Sequence, residues 1–274
     1  MAACYNYRGD FVLVYRVITA IIGIPLALWL IWQGGSWLGG GILILALLGQ
    51  WELKNILQHL GIKVSWLLAG PGVILVFFSM INHRLDYGIT FLLLWTLLIA
   101  VISFPRLRWS DLGAGFFGIV YVTVSLTYIL LLREQDQGLW LTALFFIANW
   151  LADSGAYFTG RALGKHPLAP VISPQKSIEG VIGGAVTAAL VLAMLGPKLT
   201  GFSYLFWAGF GIVISLGGQL GDLAESTLKR AAGVKDSSNI FPGHGGVLDR
   251  FDSIMFTAPL AYVLLDWFVR GGNG

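Results

Sequence analysis

Nine apolar runs leave this chain few possible folds: residues 11–32, 37–51, 64–81, 89–104, 112–132, 139–158, 181–195, 204–223 and 251–269. In hydrocarbon a segment must satisfy its own backbone N–H and C=O groups, and about 20 residues of helix cross the core. The runs therefore predict an all-α, polytopic integral membrane protein of about nine transmembrane helices, the second, fourth and seventh being short. Only 11% of the 274 residues are charged, against about 25% in an average soluble domain. Arg8 precedes the first run and no small-residue cleavage site follows it, so that run is read as a retained span rather than a signal peptide. The single cysteine, Cys4, excludes an internal disulfide and a cysteine metal cage.

Alternation of nine spans sorts the loop charges. With the N-terminus cytoplasmic, Arg8, Arg16, Lys54, Lys63, Arg106, Arg108, Arg161, Lys165, Lys176, Lys229, Arg230, Lys235 and Arg250 fall inside, and Arg84, Arg133, Lys198 and Arg270 outside. That split of 13 against 4 uses all 17 basic residues and agrees with the positive-inside tendency. Basic residues spread over short loops in this way make no stripe for nucleic acid.

The longest polar stretch, 226–253, lies between the last two spans, so its charges belong at a membrane surface. Asp222 just upstream and Asp249 and Asp252 at its end are hard oxygen donors of the kind Mg²⁺ accepts. Lys229, Arg230, Lys235 and Arg250 are cations suited to a polyphosphate. The Gly243-His244-Gly245-Gly246 turn allows close backbone approach to a ligand, and the helix expected to start near Asp249 offers free N–H groups to an anion. A loop made basic by orientation alone needs neither these glycines nor acids at both helix junctions.

Two further polar clusters lie in the same half. Asn149, Asp153 and Tyr157 recur at i, i+4 and i+8 and share one helix face. Ser215, Gly218, Gln219, Asp222, Glu225, Ser226 and Lys229 form a stripe along the eighth span. Between them lies a basic, Gly- and Pro-containing loop with Arg161, Lys165, Lys176, Ser177 and Glu179. Polar stripes in lipid face something polar, so the three clusters are expected to converge on one site open to the cytoplasm. Residues 136–274 are accordingly read as the catalytic part, and 1–135 as scaffold and lipid access. In that first part Arg16 and Glu52 are the exceptional charges, each near an interface where it can snorkel. His59, His83 and His166 read as ordinary surface histidines.

Ser226-x-Leu228-Lys229-Arg230, then Lys235-Asp236, Ser238, Phe241-Pro242 and His244-Gly245-Gly246-Val247-x-Asp249-Arg250-Phe251-Asp252 resemble the signature of the phosphatidate cytidylyltransferases, the CDP-diacylglycerol synthases. Ser173-Pro174-x-Lys176-Ser177-x-Glu179-Gly180 resembles the family's second conserved stretch, with Ser177 and Ile178 where Thr and Trp are commoner. Arg16-Val-Ile-Thr19 is similar to its N-terminal start. The resemblance implies CTP and phosphatidic acid as substrates, CDP-diacylglycerol and pyrophosphate as products, and phospholipid biosynthesis as the setting.

It further implies Mg²⁺ on Asp222 and Asp249, with a second cation in a two-cation centre. Lys176, Lys229, Arg230 and Arg250 would hold the triphosphate or lipid phosphate, and His244 a phosphate or cytidine. Arg161, Asn149, Asp153, Lys235, Asp252, Ser177 and Glu179 complete the expected binding site. The expected partners are the two substrates, the bilayer and a second copy of the chain in a homodimer, with no nucleic acid. The expected location is the inner (plasma) membrane, with the site facing the cytoplasm. Two other readings stay open: a CTP-dependent polyprenol- or phytol-type lipid kinase, which needs a base for its alcohol, and an ion-coupled transporter, whose acids would lie nearer the midplane.

Overall fold

The computed structural model describes residues 21–240 and 245–271. Cys4, Arg8, Arg16, Thr19, the start of the first run and the Phe241-Pro242-Gly243-His244 segment lie outside the described residues.

Helices follow the apolar runs. The described part of the first is α1 (Ile21–Gln33); then come α2 (Gly35–His59), α3 (Trp66–Ile81) and α4 (Leu85–Ser103). The fifth run is one rod made of α5 (Trp109–Ile119), a π-helical turn (Val120–Val124) and α6 (Ser125–Glu134). After it stand α7 (Gly138–Leu163), α8 (Ile178–Thr200), α9 (Tyr204–Ala231) and α10 (Val247–Gly271). Seven of these are long and apolar enough to cross a membrane, while α1 and α3 are shorter apolar helices. The basic loop between α7 and α8 holds a small antiparallel ribbon of β1 (Pro167–Ala169) and β2 (Ser173–Ser177).

Neighbouring contacts fix the direction of each helix. The chain reverses after α1 at Gly34 and Gly35, whose φ angles of 64° and 45° suit residues without a Cβ. Trp29 then meets Trp37, and Leu30 reaches Gly41. In α2, Gly49 lies against Val122 and Leu248, and Gly39 against Leu130. The helix therefore runs opposite to α6. Tyr128 on α6 meets Tyr262 on α10, which makes these two parallel. Gly88 packs on Ser79 and Leu92 on Gly72, so α4 returns beside α3. Gly160 meets Ser177 and Gly184 the Ala152 carbonyl; Gly184 also meets Ser215 and Gly211 the Ala188 carbonyl; Gly217 meets Thr257 and Gly221 the Asp252 carbonyl. Helices α7 to α10 thus pack antiparallel, backbone close to backbone, as small residues permit in membranes.

Up-and-down winding gives the bundle two ends. At one, the Arg108 guanidinium donates to the Gly61 carbonyl at 2.6 Å and the Lys63 N–H to Asp111 at 3.0 Å. At the other, Arg133 donates to the carbonyls of Ile31 and Trp32 at 2.8 and 3.1 Å, and Phe202 meets Phe268. One hydrophobic cluster, including Val73, Leu92, Ile119, Leu126, Phe145 and Trp207, joins the two halves of the chain.

Candidate active site

Helix α9 carries Asp222, Glu225, Ser226 and Lys229 at spacings of three and four, on one face. Lys229 is buried, and its ammonium pairs with Glu225 one turn back and with Asp249 Oδ1 at 2.6 Å on α10. The other oxygen of Asp249 accepts from the Ser237 N–H, the Ser237 hydroxyl and the Gly246 N–H, each at 2.8 Å. A buried carboxylate survives where ionic and hydrogen-bonding partners surround it in this way.

Glu52, in the last third of α2, reaches the same place from the first half of the chain. It is 0% exposed rather than snorkelling. Its Oε1 accepts from Ser238 Oγ at 2.6 Å and the Val247 N–H at 2.9 Å, and its Oε2 from the Leu248 N–H at 2.8 Å and Ser237 Oγ at 3.1 Å. The sequence-based expectation of free N–H groups at this helix start is thereby corrected: Gly246 gives its N–H to Asp249, and Val247 and Leu248 give theirs to Glu52. A buried helix start cannot leave its first donors unpaired, and here the protein itself supplies the anions. The glycines serve this contact. Gly245 has a φ of 81°, and a Cβ on Gly246 would run into Glu52 Oε1 and Ser237 Oγ, so the close approach is to the protein's own side chains.

A second ion pair stands beside the first. Lys176 on β2 meets Asp222 Oδ2 at 2.6 Å, and Ser226 donates to Asp222 Oδ1 at 3.2 Å. Asp153 on α7 and Asp252 on α10 both lie within electrostatic range of Asp222. Asp252 is also within range of Lys229 and thus links the two pairs; its Oδ1 accepts from the Ser253 N–H at 2.6 Å. Tyr121, carried on the π turn, lies within range of Glu225 and Asp252. Asn149 does not share the exposure of Asp153 and Tyr157. It is 3% exposed, donates to the Phe145 carbonyl at 2.9 Å and accepts from Thr257 at 3.0 Å, tying α7 to α10.

The ribbon is organised by Glu179 and Ser177. Ser177 is the N-cap of α8, accepting from the Gly180 N–H at 3.1 Å. Glu179 accepts from the N–H groups of Lys165 and His166 at 3.1 and 3.3 Å, and pairs with His166 Nδ1 at 2.6 Å. His166 is exposed but partnered, unlike the ordinary surface histidine expected. Arg161 donates to the Tyr157 hydroxyl at 3.0 Å, and Arg230 to the Ile172 carbonyl at 3.4 Å, which fastens α9 to the ribbon. Lys235 and Arg250 are exposed around the site; His244 lies outside the described residues.

The structure thus gathers Asp153, Asp222, Glu225, Asp249 and Asp252 around two lysines, Lys176 and Lys229. Such an excess of acid in a partly buried setting is costly without further positive charge, and oxygen donors of this kind suit Mg²⁺. Asp222 and Asp249 each hold a different lysine. Among the described residues no three His, Cys, Asp or Glu side chains form a ready-made cage, so a cation here would share its ligands with substrate or water. Sequence reasoning passed over Ser237 and Tyr121 and misread Glu52. An acid inside an apolar run was the signal for Glu52, whereas nothing in the sequence marked the π turn.

Fold and site define a polytopic α-helical membrane protein with an ion-paired, phosphate-suited centre at one end of its bundle. The profile of the Cytidylyltransferase family matches residues 14–268. The chain is 39% identical over 256 residues to the phosphatidate cytidylyltransferase of Staphylococcus aureus (strain COL), covering 91% of this chain and 98% of that protein. It is 37% identical over 260 residues to that of Staphylococcus haemolyticus and 35% over 257 residues to that of Staphylococcus saprophyticus, with the same coverage. The chain belongs to the Cytidylyltransferase family.

Proposed function

We infer that this enzyme transfers the cytidylyl group of CTP to phosphatidic acid, giving CDP-diacylglycerol and pyrophosphate. The convergence of two lysine–carboxylate pairs at a membrane-surface end of the bundle, in a chain of this family, carries the reading. A lipid phosphate oxygen forms a bond to the α-phosphorus of CTP while the bond from that phosphorus to the bridging β-oxygen breaks, and pyrophosphate leaves. The attacking oxygen is already ionised, so no protein base is required, and catalysis rests on positioning and charge neutralisation. A lipid kinase would need a base poised for an alcohol, and the phosphatidate cytidylyltransferase relatives favour the cytidylyl transfer.

In this reading Asp222 and Asp249 would hold Mg²⁺, with a second cation in a two-cation centre, and the metal would supply positive charge to the triphosphate. Lys176 and Lys229, released from their carboxylates, swing to phosphate oxygens. Arg161, Arg230, Lys235 and Arg250 draw the two anionic substrates to the rim, and His244 contacts phosphate or cytidine. Asp153 and Asp252 complete the acidic wall, Asn149 holds the floor beneath it, and Ser177 and Glu179 keep the ribbon that presents Lys176 in place. Residues 136–274 supply most of this site, and 1–135 chiefly the scaffold and the lipid access.

The site end carries Lys54, Lys63, Arg106, Arg108, Arg161, Lys165, Lys176, Lys229, Arg230, Lys235 and Arg250, and the other end Arg84, Arg133 and Lys198. That asymmetry supports a cytoplasm-facing site and a cytoplasmic N-terminus, in the inner membrane of a bacterium. Helices α4 and α8 each have only 22% of their apolar window buried, leaving surface for acyl chains and for a second copy in a homodimer. The direct test supplies purified protein with phosphatidic acid, Mg²⁺ and CTP labelled in the cytidine. Label should pass into the organic phase as CDP-diacylglycerol, and its absence there in wild-type protein would reject the reading.

A further inference from the structure

The C-terminal third of α2 delivers one carboxylate to the start of α10, far away in sequence. We propose that Glu52 is a positioning residue of the reaction: it clamps the Ser237-Ser238 loop to the start of α10 and so fixes the Asp249 carboxylate that faces substrate. This rests on the reading of Asp249 given above.

Three observations carry it. Among the described residues, the four side-chain bonds to Glu52 come from donors within the loop and the first turn of α10 that surround Asp249, and none from its own helix. Its side chain is fully buried, so water cannot replace it. Ser237 stands between the two carboxylates, its hydroxyl 3.1 Å from Glu52 Oε2 and 2.8 Å from Asp249 Oδ2. A hydroxyl has one proton to give. When Ser237 donates it to Glu52, Asp249 Oδ2 keeps the Ser237 and Gly246 N–H groups, whose positions the Glu52 clamp sets. Glu52 thereby influences Asp249 without touching substrate, and a helix cap alone would need neither the shared serine nor the second hydroxyl of Ser238.

Each carboxylate oxygen of Glu52 accepts from one backbone N–H, which can only donate, and from one serine hydroxyl. In Glu52→Gln the amide nitrogen faces the Val247 or the Leu248 N–H, a donor against a donor in either orientation, whereas Glu52→Asp keeps the charge but loses one methylene of reach. The test uses the full chain in detergent micelles with phosphatidic acid, reading kcat, the KM for CTP and peptide-resolved hydrogen exchange. Glu52→Gln is expected to lower kcat by about 100-fold, the scale of an ångström-size misplacement, with the KM for CTP within about threefold. Exchange should rise in peptides spanning 237–248 and stay unchanged in α3, α4 and α8. Glu52→Asp should fall between the two.

Combining Glu52→Gln with Ser237→Ala should cost less in kcat than the product of the single effects, because both act through one carboxylate. Wild-type kcat in folded Glu52→Gln overturns the proposal. So does an activity loss that follows uniformly raised exchange over the whole bundle, which marks a merely structural role. If Glu52→Gln does not accumulate, Glu52→Asp and Ser237→Ala decide: a wild-type kcat in both overturns it, and a lowered kcat with exchange raised only in 237–248 supports it. Inactive wild-type protein would instead count against the cytidylyl-transfer reading, while the exchange pattern still tests the clamp.

Discussion

Asp222, Asp249 and Asp252 belong to one reaction site in our reading, yet they stand in different surroundings and should fail differently. In Asp249→Asn, the new amide nitrogen faces either the Lys229 ammonium at 2.6 Å or the three donors at 2.8 Å, so a buried donor meets donors in both orientations. That mismatch costs about 1–3 kcal/mol. The variant is expected to melt lower as well as to turn over slowly, which thermal unfolding beside a rate assay will show. The Asp222 side chain is 32% exposed and, among the described residues, is bonded to Lys176 and Ser226. Asp222→Asn should therefore keep a near-wild-type Tm while losing about 10²–10³ in kcat, partly recovered at high Mg²⁺ or with Mn²⁺. Asp252 sits beyond the first turn of α10, where Glu52 and Asp249 already satisfy the helix start, so Asp252→Asn is expected to reduce rate rather than stability.

Helix α9 works as the spine of the catalytic half because its glycines let α8 and α10 approach its backbone. A Cβ added to Gly211 would meet the carbonyl carbon and oxygen of Ala188 on α8, whereas one on Gly209 would meet nothing within 4 Å. Gly211→Leu is thus expected to destabilise the bundle by about 1–3 kcal/mol through overpacking, while Gly209→Leu leaves the melting temperature unchanged. Equal melting of the two variants would show that close α8–α9 packing contributes nothing. The π turn does for the fifth rod what glycine does for α9. It breaks the regular i to i−4 ladder in mid-span and re-aims Tyr121 toward the acids of α9 and α10, a known use of such turns near functional sites.

Across the whole molecule, alternating helix directions put the ribbon, the Ser237 loop and the start of α10 at one end, and the α1–α2 reversal, Arg133 and the Thr200–Phe202 turn at the other. With the basic end cytoplasmic, a phosphatase reporter that works only outside should be active when fused after Gly274 or placed in the loop near Lys198. It should be silent near Arg106 or Lys165. Activity at Lys165 would reverse the orientation, and mixed results along one rod would break the alternation.

Nine apolar runs, their lengths and the sorting of 17 basic residues were enough to read an alternating helical membrane bundle, because helix is one of the few ways a backbone satisfies itself in lipid. The spacing of Asp222, Glu225 and Lys229 also told from the chain alone that they share a face. Which lysine meets which acid did not follow from sequence, since Lys176 and Asp222, or Glu52 and Leu248, are joined only by how separate helices pack. Packing also turned the start of α10 from an expected anion site into one filled by Glu52 and Asp249. A buried donor takes the nearest available acceptor, and only the tertiary structure decides which carboxylate that is.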